Sequence, residues 1–332
     1  MSAATMRVAA VNEFGSPQNL RLTRHPVPEP GPDEITIDVE YAGVGFVDTL
    51  FRDGTFPMPT PLVPGIEVTG RVRAAGPGVT GFAPGQLVGA LLNDFGRGPR
   101  AGGYAEVAVA HRTMAVPVPE SADLPRVTAA ISNGVAAWIA LHELARLSPR
   151  DRVLILGASG GLGAISVRLA ALHPAAQVIG VVSRDRGRAP AECTDVLLTA
   201  GLDRGLTSAT ADGQVDVVID PVGGPQRVTA FGHLAPFGRL IILGNASGDD
   251  QPLSGDEAWH GSRVVAGLST GGVAHLRPAQ ITEALAAVVT LVARGALTEP
   301  PPALEPLEAA ATVHQAIADR RAPAKTILSL RT

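Results

Sequence analysis

Residues 152–170, RVLILGASGGLGAISVRLA, decide how this chain is read. Val153 to Leu156 is a short unbroken apolar run, as expected of a strand buried on both faces, and Leu162 to Leu172 carries the apolar spacing of a helix. The glycine-rich turn between them fits more than one chemistry. Read from Ala158 it is Ala-x-Gly-x-x-Gly, a dinucleotide-binding turn with its first glycine replaced. Read from Gly157 it is Gly-x-Ser-x-Gly, which would make Ser159 a nucleophile on a strand-to-helix elbow.

Working outward, the same alternation continues. Gln177 to Val182 reads as a strand and Asp195 to Leu198 as a weaker one; VDVVIDPVGG (215–224) supplies a strand and turn, PQRVTAFGHL (225–234) a helix, and GRLIILGNAS (238–247) and SRVVAGLS (262–269) two more strands. Apolar strands alternating with helices predict a doubly wound parallel sheet over residues 125–267. Residues 1–124 have another texture: EITIDVEYAGV (34–44), IEVTGRVRAAG (66–76) and GGYAEVAVA (102–110) alternate as strands between proline and glycine clusters such as PVPEPGPDE (26–34). That is a compact, turn-rich β domain. The tail, 268–332, holds a long helix (278–297), a second helix (307–321) and the closing strand KTILSL (325–330).

The bulk numbers favour small-molecule chemistry. With 332 residues and a net charge of −4, the chain is long enough for two domains and has no basic excess that would attract nucleic acid. Its single cysteine, Cys193, excludes an internal disulfide and any multi-cysteine metal cluster within one chain. The opening MSAATMRVAAVNEFG has no leader pattern and no uninterrupted apolar segment reaches membrane-spanning length, so a cytoplasmic protein without a membrane partner is expected.

Inventory and spacing narrow the turn's chemistry. Short-chain dehydrogenases, whose glycine turn is similar, need a Tyr-x-x-x-Lys pair downstream, yet Tyr41 and Tyr104 both lie upstream. A hydrolase order of Ser159, Asp220 and then His233, His260 or His275 is permitted by sequence. Against it, Gly160, Gly161 and Gly163 offer the close backbone approach that a pyrophosphate needs. On this reading Ser159, Gly160, Gly161, Leu162 and Gly163 cradle phosphates at a helix N-terminus. Dinucleotide sites carry the ribose-binding group about 20 residues farther on. Here that strand ends at Val182, followed by Ser183 and Arg184 rather than an acid, with Arg186 and Arg188 near, which favours the 2′-phosphate of NADP over NAD; Asp185 opposes this. Asn245, Leu268 and Ser269 stand at later strand ends, where such sheets bind ligands.

The ordered set AGVGFVDTLFRDGTF, PLVPGIEVTGRV, GGYAEVAV, AAISNGVAAWIAL, the glycine turn, VVIDPVGG, GRLIILGNASG and KTILSL resembles the medium-chain dehydrogenase/reductases, in the zinc-free quinone oxidoreductase branch that includes zeta-crystallin. The resemblance implies a GroES-like β domain built from both ends of the chain, a central Rossmann domain, a cleft between them for cofactor and substrate, and a homodimer. Zinc-dependent relatives place their metal ligands where this chain has Gly45, Ile66 and Asn133, and their proton-relaying hydroxyl where it has Val47. Zinc lowers the pKa of a bound water from about 15.7 to about 7. Without that Lewis acid, the resemblance implies NADPH-dependent reduction of a quinone or an α,β-unsaturated carbonyl, whose conjugation spreads the charge left by hydride.

Gly45 replaces the branch's usual asparagine, and Leu50 and Phe56 stand where bacterial members often have tyrosines. A pocket of Gly45, Leu50, Phe56 and Asn133 would suit an apolar enone. The catalytic residue is not identified; Asn133, at the nicotinamide or as a helix cap, and Asp48, a structural acid in the family, are the candidates. Lys325 matches a family lysine and reads as a surface residue. Solvent would supply the proton. A protein that binds NADPH without turnover is the alternative of another class.

Overall fold

The computed structural model describes residues 4–94, 102–173, 177–322 and 325–331. It divides into two compact units, Met1–Val135 with Thr270–Thr332, and Ala136–Ser269.

The first unit is built mostly from antiparallel strands. β1 (Thr5–Val11) and β2 (Leu20–Pro26) form a hairpin sheet of their own. β3 (Glu34–Val44), β4 (Glu67–Ala75), β5 (Leu87–Leu91), β6 (Val107–His111) and β7 (Ala115–Pro117) belong to a larger sheet. The apolar residues of β3 alternate toward a core that includes Ile35, Ile37 and Val39, which is why this stretch is a strand. Late in the chain, Ala303–Pro306 and Thr326–Ser329 join the same sheet, the latter pairing antiparallel with β3. The register sets Thr326 opposite Val44. One step farther along each strand lie Lys325 and Gly45, so topology brings together residues from distant parts of the sequence. A helix the sequence reading did not assign, α1 (Phe46–Asp53), begins immediately after β3.

The second unit is a six-stranded, all-parallel sheet. β8 (Arg152–Leu156), β9 (Gln177–Val182), β10 (Asp195–Leu198), β11 (Val215–Asp220), β12 (Leu234–Ile242) and β13 (Val264–Gly267) lie in the order β10-β9-β8-β11-β12-β13. Counted within the unit, this is 3-2-1-4-5-6, with the order reversing between β8 and β11. Leu154, Leu156, Ile179, Val181 and Val218 are fully buried on its strands, matching the unbroken apolar runs.

The division between units falls inside the helix α2 (Leu124–Ile139), whereas the change of sequence texture falls at its start. Leu124–Leu144 is helical, 21 residues long and apolar enough by composition to span, although Arg126, Ser132, Asn133, His142 and Glu143 interrupt its apolar run. Most of its apolar stretch is buried, and its Thr128 hydroxyl is hydrogen-bonded to Thr69 at 2.7 Å, so it packs as a core helix.

Candidate functional site

In the second unit, the turn after β8 is shaped by backbone. Gly157 has φ of +64°, and a Cβ there would come within 2.7 Å of Val222 Cγ2 in the turn after β11. A Cβ on Gly163 would overlap the Gly157 carbonyl, so only glycine lets the helix α3 (Gly161–Ala171) start this close to the strand. Ser159, Gly160 and Gly161 are exposed, Leu162 is half-buried, and Gly160 is the N-cap with no side-chain cap. The first N–H groups of a helix lack intrahelical partners, and the dipole there favours negative charge. This cradle fits a pyrophosphate.

The neighbouring turn is held by side chains. Asp220, fully buried at the end of β11, accepts the Val222 and Gly223 N–H groups, both at 2.8 Å, and pairs with Arg227. Arg227 Nη2 also donates to the Gly244 carbonyl at 2.7 Å, tying this turn to the one after β12. There a Cβ on Gly223 would overlap Asn245 Oδ1, so Asn245 lies against the turn after β11; Leu268 N–H extends the β12–β13 pairing by donating to Ile242 at 3.0 Å, and Ser269 next to it is exposed.

After β9, Ser183 and Arg184 are exposed, and the Arg184 side chain has no hydrogen-bond or ion-pair partner among the described residues. The Asp185 carboxylate accepts the Gly187 N–H at 2.9 Å through Oδ1, and Arg186 is tied to the Val196 carbonyl. A hydrolase arrangement through His233 is not assembled. His233 precedes β12 and therefore lies at the opposite edge of the parallel sheet from Ser159, where it pairs with Asp203 at 2.9 Å, while both Asp220 oxygens are engaged.

The first unit holds a buried polar centre around Gly45. Glu67, 1% exposed, pairs through Oε1 with Lys325 Nζ and accepts the Ser132 N–H through Oε2 at 2.6 Å. Lys325 is therefore not a surface lysine: its side chain is 15% exposed, because the register of the last strand fixes it beside β3. Asp48 is fully buried and bridges two backbones, accepting Gly45 N–H at 2.8 Å and Gly65 N–H at 3.0 Å. Burial outweighs these bonds and the Lys325 charge, pushing its carboxyl up to about 6. Tyr104, also fully buried, hydrogen-bonds His314 Nε2 at 3.1 Å, and burial with the nearby Asp48 charge raises its phenol well above the usual range. Burial, aided by Arg52, lowers His314 to about 3, so it is neutral near pH 7. Asn133 lies in the interior of α2, past the turn where a cap could act, so a capping role is excluded. Leu50 is half-buried on α1, and Phe56 is 45% exposed with its ring 6.1 Å from Phe51.

Residues 31–120 match the alcohol dehydrogenase GroES-like domain and residues 195–328 the zinc-binding dehydrogenase family. Over 96% of this chain and 98% of its partner, the sequence is 30% identical to a 2-haloacrylate reductase from Burkholderia. It is 31% identical to the quinone oxidoreductase of Rattus norvegicus over 72% of this chain and 73% of that protein. The chain belongs to the medium-chain dehydrogenase/reductase superfamily, in its zinc-free quinone oxidoreductase branch. Other members are longer, and the match spans 58% of the synaptic vesicle membrane protein VAT-1 homolog-like of Mus musculus, 30% identical over 74% of this chain. A mycobacterial member solved in complex with NADPH superposes with a TM-score of 0.85 over 98% of this chain and 99% of that one, at 27% identity.

Membership in this superfamily makes the first unit GroES-like and the second a Rossmann domain. The sequence reading set Gly45, Ile66 and Asn133 at the positions where zinc-dependent relatives hold their metal. A glycine without a side chain, an isoleucine and an amide do not form a zinc donor set. Sequence reasoning missed the Glu67–Lys325 pair. The one available signal was Glu67 as an acid inside an apolar strand, a position that demands a partner.

Proposed function

We propose that this protein is an NADPH-dependent reductase that transfers hydride to a quinone or an α,β-unsaturated carbonyl without a catalytic zinc ion. The observation that carries this reading is the glycine-rich cradle of Ser159 to Gly163 at the reversal of the parallel sheet, beside the turn that Asp220 and Arg227 hold. NADPH supplies the hydride when bound. Ser159, Gly160, Gly161, Leu162 and Gly163 would hold its phosphates, Ser183 and the unpaired Arg184 its 2′-phosphate, and Asn245, Leu268 and Ser269 the farther half. The match to a member crystallised with NADPH supports the nucleotide, and the Burkholderia 2-haloacrylate reductase supports a conjugated acceptor. Gly45, Leu50, Phe56 and Asn133 would line an apolar pocket for that acceptor. The working form on this reading is a cytoplasmic homodimer acting on a small molecule, with neither nucleic acid nor membrane as partner.

The test is the thermal midpoint with NADPH and with NADH, followed by nucleotide oxidation with a panel of quinones and enones. Selective stabilisation by NADPH together with turnover is the expected result. Stabilisation without turnover would make this a nucleotide-binding protein of another kind, and no stabilisation by either nucleotide would end the reading.

A further inference from the structure

The geometry points to Lys325 as the catalytic cation of the acceptor site, an ammonium that reaches through the gap left by Gly45 to stabilise the oxyanion formed on the substrate. The inference rests on the reductase reading and adds to it the residue that meets the developing charge.

Three observations converge on this site. The Lys325 ammonium has three N–H donors, and among the described residues Glu67 is the only hydrogen-bonding partner of that ammonium, which leaves two donors for a ligand. The pair is built into the fold: a Cβ on Gly43 would overlap the Glu67 carboxylate, and the Ser132 N–H holds its second oxygen. Gly45 is not demanded by its backbone, since its φ of −110° is open to any residue and a Cβ there would meet nothing closer than Asp48 Oδ2 at 3.4 Å. That Cβ would, however, stand 3.9 Å from Lys325 Nζ, so a side chain at position 45 would cover the ammonium. A buried ion pair is seldom retained for stability alone, because apolar replacements are often as stable.

In the reaction, an enone takes hydride at its β-carbon, the C=C electron pair becomes the π bond between the α-carbon and the carbonyl carbon, and the C=O π pair moves to oxygen, giving an enolate. Two Lys325 N–H groups donate to that oxygen. A solvent proton then completes the α-carbon, with oxidation of NADPH to NADP+ balancing the two electrons.

The experiment compares the wild type with Lys325→Met, Lys325→Arg, Gly45→Val and the double variant Lys325→Met/Glu67→Gln, which avoids a bare buried carboxylate. Loss of an oxyanion donor should lower kcat about 100-fold or more in both Lys325→Met backgrounds, with KM for NADPH within about three-fold and partial rescue by arginine. Gly45→Val should raise KM for the acceptor while the thermal midpoint holds. A double variant with unchanged kcat, or one whose NADPH KM alone rises, would overturn the proposal. Binding of 4-nitrophenolate, an oxyanion mimic, to the nucleotide-free protein gives a readout that does not need turnover. It should weaken about ten-fold or more in the double variant, and equal binding would count against Lys325. A wild type that consumes no NADPH defeats the reductase reading, while this contrast still decides the role of Lys325.

Discussion

The two polar regions of the molecule are made in opposite ways. The cradle after β8 is almost all backbone: glycines at 157, 160, 161 and 163, one exposed serine, and a helix N-terminus within a dozen residues of sequence. The centre around Gly45 is almost all side chain, and its defining pair, Glu67 and Lys325, is 258 residues apart. A backbone site tolerates side-chain changes but no Cβ at Gly157 or Gly163. A side-chain site depends on the charge state of buried groups, and so on pH.

The largest expected effect tests the second half of that contrast. His314 titrates at about 6.5 unfolded and about 3 folded, so it contributes stability above pH 6.5 that is lost as pH falls through about 3, on the order of 5 kcal/mol. Asp48 works the other way. Its folded value of about 6 lies above the ordinary 3.8, so roughly 3 kcal/mol present below pH 3.8 is lost as pH rises through 6. In the wild type the two slopes oppose each other. Asp48→Asn should steepen the rise of stability from pH 4 to 6.5, and His314→Gln should leave only the fall, both measured by denaturant unfolding across that range.

The cradle should respond to bulk instead. Gly163→Ala places a Cβ into the Gly157 carbonyl and should cost about 1–3 kcal/mol while sharply reducing the thermal shift given by NADPH. Arg184→Ala should lower the preference for NADPH over NADH about ten-fold, as loss of one charge-assisted hydrogen bond implies, with folding untouched. The smallest effect sharpens the contrast most: Ser159→Ala, at an exposed site, should change stability by less than about 0.5 kcal/mol and NADPH binding by only a few-fold. A large loss at Ser159 would mean that the cradle is not a backbone site.

The same contrast explains what could be read in advance. The strands Gln177–Val182 and Asp195–Leu198 occupy the residues expected from the sequence, because a parallel strand is a local apolar run that needs no partner to be recognised. The glycine turn was legible for the same reason. α1 was not, since its eight residues follow β3 with only a glycine between and make barely two turns, too few for an apolar period to repeat. Asp48 was visible as an acid but not as a bridge, because Gly65, its second partner, is 17 residues away. Lys325 was read as exposed because its burial depends on a strand pairing that no local pattern announces.

That pairing also orders events during synthesis. Residues 136–269 are contiguous, so their sheet contains every strand it needs before the tail leaves the ribosome. The other sheet is incomplete until residues 326–329 arrive, and until then one edge of β3 has open backbone groups. The nascent chain therefore carries an unfinished first unit through the making of a finished second one, and the strand that brings Lys325 to Glu67 is the last to be added.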